Sequence, residues 1–127
     1  MGYLLVVDYE KTIRVCLAEI LDNYGHKVVI AENGAQAIGL FKKMRGEISL
    51  LIMDIAIPGL SGVDTITAIR ELDPFIKIVL MSGGPHSDLM ELKVGAFIRK
   101  PFKSKDFHGV VLNMLRNESS APWAGQC

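Results

Sequence analysis

The chain has 127 residues, half of them hydrophobic, and its 14 basic residues balance its 14 acidic ones. This length predicts one domain, and the apolar content suits a sizeable core and is too high for a disordered chain. The balanced charge argues against a protein built to bind nucleic-acid phosphates, and no apolar stretch approaches the ~18–20 residues that span a bilayer. The N-terminus shows no secretory signal. We therefore expect a cytoplasmic protein that contacts neither nucleic acid nor membrane directly.

Short apolar runs alternate with helical patterns along the chain. Five runs predict strands, at Tyr3–Val7, Lys27–Ala31, Leu50–Met53, Ile76–Met81 and Phe97–Arg99. A stretch with apolar residues at helical spacing follows each run. This alternation predicts an α/β fold with a parallel sheet, right-handed crossovers and helices on both faces.

Local signals indicate where the predicted helices begin and end. Gly25 ends the first helix, Asn33 opens the second, and the fourth is short and stops at Gly95. Residues 118–127 contain Pro and Gly and have no apolar period. We therefore expect a domain at residues 1–117, followed by a flexible tail or the start of a linker.

Two kinds of side chain are assigned from the pattern alone. Cys16 falls on the apolar stripe of the first helix, and we expect it in the core. The three histidines, His26, His86 and His108, have no metal-ligand spacing, and we expect all three at the surface.

Four predicted strands are followed by a chemically active side chain. Asp8 follows the first strand, Asp54 the third, Ser82 the fourth and Lys100 the fifth. Because the carboxyl ends of parallel strands meet at one edge of the sheet, we expect these groups to lie close together. Acids at that edge indicate a divalent cation, and a lysine beside such a cation is typical of phosphoryl transfer. Asp54 is then either a metal ligand or the nucleophile.

Four stretches resemble the receiver domain of response regulators, and together they cover about Tyr3 to Arg116. They are Leu5-Val6-Val7-Asp8, Met53-Asp54-Ile55-Ala56-Ile57-Pro58-Gly59-Leu60-Ser61-Gly62, Met81-Ser82-Gly83-Gly84 and Gly95-Ala96-Phe97-Ile98-Arg99-Lys100-Pro101-Phe102. The resemblance implies a doubly wound, five-stranded parallel sheet in the flavodoxin-like order 2-1-3-4-5. It also implies two-component signal transduction, in which a histidine kinase or phosphotransfer protein is the donor and a downstream protein is the target.

The resemblance further implies a role for each matching residue. Asp54 would accept the phosphoryl group with Mg²⁺ assisting, and Lys100 would contact that group. Ser82 would swing toward the new phosphate, and the aromatic ring of Phe97 would move with it. The remaining matches are the metal ligands Asp8, Asp54 and the backbone carbonyl of Ala56, and the structural residues Pro58, Gly59 and Pro101.

Position 9 departs from the family pattern, which has a second, metal-ligating acid directly after the first. Tyr9 stands there, and a phenol with a pKa of about 10 is a poor ligand for Mg²⁺. Glu10 reaching back, water filling the position, and loss of the metal are open alternatives. We expect weakened Mg²⁺ affinity with Asp54 still competent. The segment from Ser82 to Lys100 also looks about four residues shorter than is usual for the family.

Other interpretations compete with this one. Asp8 could cap the next helix, Ser82 could belong to a glycine turn, Lys100 could be a solvated charge, and Phe97 could be a plain core residue. The whole domain could be a degenerate receiver that binds partners without phosphorylation, which Tyr9 supports. A haloacid-dehalogenase-type phosphatase is disfavoured because Ala56 stands where its second aspartate is required. A flavodoxin is disfavoured because the first loop is acidic.

Overall fold

The computed structural model describes residues 2–55, 59, 61–82, 95–100 and 102–116. Within these residues, five strands and four helices follow one another. They are β1 (Tyr3–Val7), α1 (Lys11–Asn23), β2 (Val28–Ala31), α2 (Gly34–Lys43), β3 (Ile48–Asp54), α3 (Gly62–Leu72), β4 (Lys77–Ser82), β5 (Ala96–Arg99) and α4 (Ser104–Arg116). The short helix predicted between β4 and β5 lies outside the described residues.

The strands form one parallel sheet in the order β2-β1-β3-β4-β5. This confirms the α/β class and the flavodoxin-like order that the resemblance implies. β1 and β3 are adjacent interior strands, and Val7, the last residue of β1, pairs with Met53, one residue before the end of β3. Asp8, which follows β1, and Asp54, the last residue of β3, are therefore neighbours.

The apolar core has two layers, one on each face of the sheet. Alternate residues of β1 point to opposite faces, so Leu5 and Val7 join one layer while Leu4 and Val6 join the other. Residues of α2 and α3 complete the first layer, and residues of α1 and α4 complete the second. Because β1 and β3 are covered on both faces, their sequences read as continuous apolar runs.

Side chains and glycine mark the helix ends as the sequence predicts. The Asn33 side chain accepts a hydrogen bond of 2.9 Å from the backbone N–H of Gln36 at the start of α2. Gly25, just past the end of α1, has a φ of +88°, a left-handed conformation that glycine adopts without strain.

Two predictions about burial are wrong. Cys16 is exposed, and Arg14 lies in the buried seam of α1 together with Leu17 and Leu21. The apolar stripe of α1 is wide, and Leu17, the residue after Cys16, is the one that faces the core.

His108 is buried, because α4 turns it inward with Phe107 and the ring stacks on Tyr24. The other two histidines are His26, which is partly buried, and His86, which lies outside the described residues.

No helix among the described residues is long and apolar enough to cross a bilayer.

Candidate functional site

Two carboxylates lie side by side at the carboxyl edge of the central strands. Asp8 comes directly after β1, and Asp54 is the last residue of β3. Both are buried, with 0% and 7% of their surface exposed. Charged carboxylates are rarely buried unless a partner of opposite charge compensates them. The ionisation and chemistry of this pair therefore depend on where the nearest cationic side chain lies.

Lys100 supplies that cation. Its Nζ donates hydrogen bonds to Asp54 Oδ2 at 2.6 Å and to Asp8 Oδ2 at 3.1 Å. Lys100 follows β5, which β4 separates from β3, so the side chain reaches across a strand to arrive here. The structure thus brings together three of the residues that the strand-end pattern placed at one edge, and the three charges leave one negative charge uncompensated.

The electrostatics of the cluster favour an ammonium ion at Lys100. Burial lowers the pKa of this lysine, but hydrogen bonds and charge attraction from Asp54 and Asp8 outweigh burial and hold the pKa above its ordinary value. Burial also raises the pKa of Asp8, and the Glu10 N–H and Lys100 only partly offset that effect. The lysine is therefore a fixed positive charge at neutral pH.

Arg14 holds the loop that carries Asp8. Its Nη1 donates to the backbone carbonyl oxygens of Asp8 at 2.8 Å and of Tyr9 at 3.0 Å. The guanidinium is buried in the seam of α1, with 8% of the residue exposed. Sequence reasoning missed this residue, although a basic residue between inward-facing apolar positions of an amphipathic helix was a usable signal.

Asp8 does not cap α1. Its Oδ1 accepts a hydrogen bond of 2.9 Å from the backbone N–H of Glu10, which itself occupies the N-cap position. Glu10 is exposed, and its side chain makes no capping hydrogen bond. The Tyr9 side chain is also exposed, at 62%. The Asp8 carboxylate is thus oriented by the Glu10 N–H on one oxygen and by Lys100 on the other.

Of the remaining predicted residues, Ser82, Phe97 and Gly59 lie among the described residues. Ser82 ends β4, where its backbone pairs with Arg99 of β5. Phe97 is partly buried on β5 and packs against the core layer that contains α2 and α3. Gly59 has a φ of +79°, a conformation that suits the predicted loop. Ala56, Pro58 and Pro101 lie outside the described residues.

The sequence model of the family described as the response regulator receiver domain matches residues 4–112 of this chain. This chain belongs to the response-regulator receiver family. The family's receiver domains are signalling modules rather than classical enzymes, and they typically bind Mg²⁺. Receivers of two-component systems, as a family, respond to histidine kinases.

Individual relatives agree with this assignment. The transcriptional regulatory protein CpxR of Escherichia coli K12 is 30% identical over 119 residues, which cover 91% of this receiver and 50% of CpxR. The chain therefore spans about half the length of CpxR. The chemotaxis protein CheY of Thermotoga maritima is 36% identical over 104 residues, covering 78% of this chain and 85% of CheY.

A solved structure shows the same fold. The response regulator protein TrrA from Thermotoga maritima, in complex with Mg²⁺-BeF, is 34% identical and superimposes with a TM-score of 0.81. The match covers 91% of this chain and 100% of TrrA.

The donor set of this receiver fits a hard divalent cation. Asp8 and Asp54 offer adjacent carboxylate oxygens, which Mg²⁺ prefers, and Mg²⁺ commonly keeps several waters as its other ligands. Among the described residues, however, no three Asp, Glu, His or Cys side chains converge on one point. Lys100 contacts one oxygen of each acid, so a cation held by both acids would lie close to the ammonium ion.

An apolar groove adjoins the cluster. It is a cavity of about 400 Å³ between α1 and the start of α4, and Lys100 forms part of its wall. The exposed side chain of Cys16 lines this cavity. Its lining residues are Ile13, Cys16, Leu17, Ile20, Lys100, Phe102 and Ser104.

Proposed function

We propose that this receiver accepts a phosphoryl group on Asp54 from a histidine kinase or phosphotransfer protein, and that the modification switches a surface that binds a downstream protein. The observation that carries the proposal is the Asp54 carboxylate at the end of β3, held 2.6 Å from Lys100 Nζ and beside a second buried acid. Membership of the receiver family supports the same role.

The cluster suits phosphoryl transfer because little covalent chemistry is required of the protein. An oxygen of the Asp54 carboxylate attacks phosphorus while the bond from phosphorus to the donor's imidazole nitrogen breaks. The Lys100 ammonium then balances the negative charge on the transferred oxygens. Mg²⁺, when bound through Asp8 and Asp54, would add further charge neutralisation at this position.

The switch follows from the change of charge. An aspartyl phosphate carries nearly two negative charges where the carboxylate had one, and it adds acceptor oxygens. Lys100 would move from the carboxylates to the phosphoryl oxygens, and Ser82 would bond them from the end of β4. Because Lys100 and Phe97 belong to the same segment around β5, their rearrangement biases the surface beyond that strand.

Tyr9 makes this receiver a weakened metal binder in our proposal. The position offers a phenol in place of a carboxylate, and its exposed ring and backbone carbonyl contribute no charge. Exposed Glu10 is the side chain best placed in sequence to substitute, with water as the alternative ligand.

Intact mass after incubation with acetyl phosphate tests the acceptor role. We expect a phosphoryl adduct that requires Mg²⁺ and is lost in Asp54→Asn. An adduct that persists in Asp54→Asn would move the acceptor to another residue.

The second candidate function is that of a degenerate receiver, a phosphorylation-independent interaction module. The observation that favours it is the loss of one acid at Tyr9 in a cluster where Lys100 already bridges the two that remain. Under this function no adduct forms even at high Mg²⁺, and partner binding is identical for wild type and Asp54→Asn.

A further inference from the structure

Two histidines meet on the side of the molecule where α4 packs against the segment after α1. His26 precedes β2, and His108 lies in the first turns of α4. Their Nε2 atoms are 3.1 Å apart and their ring centroids are 5.3 Å apart. A centroid distance this much longer than the nitrogen distance means that the two nitrogens point at each other nearly head on.

The Tyr24 ring holds one member of the pair, His108, in place. The Tyr24 ring stacks on His108 with centroids 3.5 Å apart and planes 9° from parallel. His108 is 6% exposed, whereas His26 is partly buried and lines a cavity with Lys77 of β4. The contact therefore joins α4 to the segment between α1 and β2, and 82 residues of chain separate its two histidines.

Head-on geometry admits one proton between the rings. When both imidazoles are neutral, one donates its Nε2–H and the other accepts. When one ring is protonated, the hydrogen bond persists and is strengthened by charge. When both are protonated, two N–H donors and two positive charges face each other across 3.1 Å, and the contact has to open.

We propose that His26 and His108 form a proton-operated latch, which ties α4 to the segment after α1 and opens when both imidazoles carry a proton. Opening would also break the stack of Tyr24 on His108. It would loosen the helix that contributes Phe107, Val111 and Met114 to the core. The latch does not depend on phosphorylation of Asp54.

The surroundings of His108 set the direction of the pH response. Burial lowers the pKa of His108, and the positive charge of His26 lowers it further. Within the described residues, His26 is the charged group that acts on His108, so no carboxylate among them rescues the second imidazolium. Lys77 of β4 adds positive charge near His26, Tyr24 is a neutral phenol, and Lys105 and Asp106 line a separate cavity on α4.

The sign of the effect follows from linkage. An unfolded histidine titrates near pH 6.5, and His108 in the fold titrates lower, so the unfolded state binds more protons in mild acid. The contribution to stability is complete above about pH 6.5 and is lost as the pH falls below that value toward the lower folded pKa.

Amide hydrogen exchange of α4 and a histidine NMR titration test the latch together. In wild type, we expect His108 to titrate below the ordinary value, and this depression to be smaller in His26→Gln. Lowering the pH from about 7.5 to about 5 should speed the opening of α4, after correction for intrinsic exchange, by about tenfold for each unit of pKa depression. His26→Gln, at a partly exposed position, should remove the part of this acceleration that depends on the charge of His26, because the glutamine stays neutral, and should leave the part that is due to the burial of His108. Lys43→Gln, at an exposed position of α2 on the opposite face of the sheet, is the control and should behave like wild type.

Two results would overturn the proposal. One is that His108 titrates at the ordinary value of a histidine. The other is that His26→Gln retains the full acid-dependent opening of α4. Because His26→Gln removes no fully buried side chain, either result is obtainable from a folded protein.

Discussion

Lys100 is the residue on which the candidate site depends most. Its ammonium lies within hydrogen-bond distance of both buried acids and compensates them in the resting state, and in our proposal it contacts the phosphoryl group on Asp54. The ammonium group can move between Asp8 and Asp54 at a low cost in free energy, because it keeps an acidic partner in either position. The same lysine competes with any cation for the oxygens of Asp8 and Asp54.

Tyr9→Asp should tighten Mg²⁺ binding, because it restores a carboxylate beside the two that are present. One additional charged ligand is expected to raise the affinity by about tenfold or more. Calorimetric titration with Mg²⁺ measures the change, and Tyr9→Phe serves as the control that alters the ring without adding charge. Equal affinity for Tyr9→Asp and wild type would sink the idea that position 9 limits the metal.

Arg14→Met should destabilise the domain by about 1–3 kcal/mol, because it removes the donor to the carbonyls of Asp8 and Tyr9. Urea unfolding measures the loss. Arg45→Met, at an exposed arginine, is the matched control and should lie within about 0.5 kcal/mol of wild type. If the two variants unfold alike, Arg14 does not hold this loop.

At the scale of elements, the strands were predictable and the inward faces of the helices were less so. β3 extends from Ile48 rather than Leu50, because Ile48 pairs with Tyr3 through a register shift that the apolar run does not reveal. On α1 the apolar stripe is wide, and periodicity alone does not say which of its edges faces the sheet. That is why Arg14 is inside and Cys16 is outside.

Thiol labelling checks the orientation of α1. In a Cys127→Ser background, Cys16 should react with a thiol reagent in the native protein at a rate close to that in urea, because its side chain is exposed. Cys16→Ser in the same background gives the blank. If the Cys16 thiol reacts only after the protein unfolds, its side chain is buried, and the packing of α1 described above is wrong.

At the scale of the whole molecule, topology explains why part of the site could be read from the sequence. Strand order and parallel direction bring the carboxyl ends of β1, β3 and β5 to one edge, so Asp8, Asp54 and Lys100 are found by locating where each apolar run ends. The contact of His26 with His108 could not be found this way. It depends on how α4 sits against the segment after α1, and neither residue has a distinctive local pattern.

In the proposed function, Asp54 is the acceptor whose modification reorganises the segment around Lys100. The most direct test records amide NMR spectra of the protein with Mg²⁺, before and after addition of beryllium fluoride, the group bound with Mg²⁺ in the TrrA structure. We predict shifts at the ends of β3 and β4 and across Ala96–Lys100, all absent in Asp54→Asn. Identical responses of wild type and Asp54→Asn, or shifts that leave Ala96–Lys100 unchanged, would contradict the account.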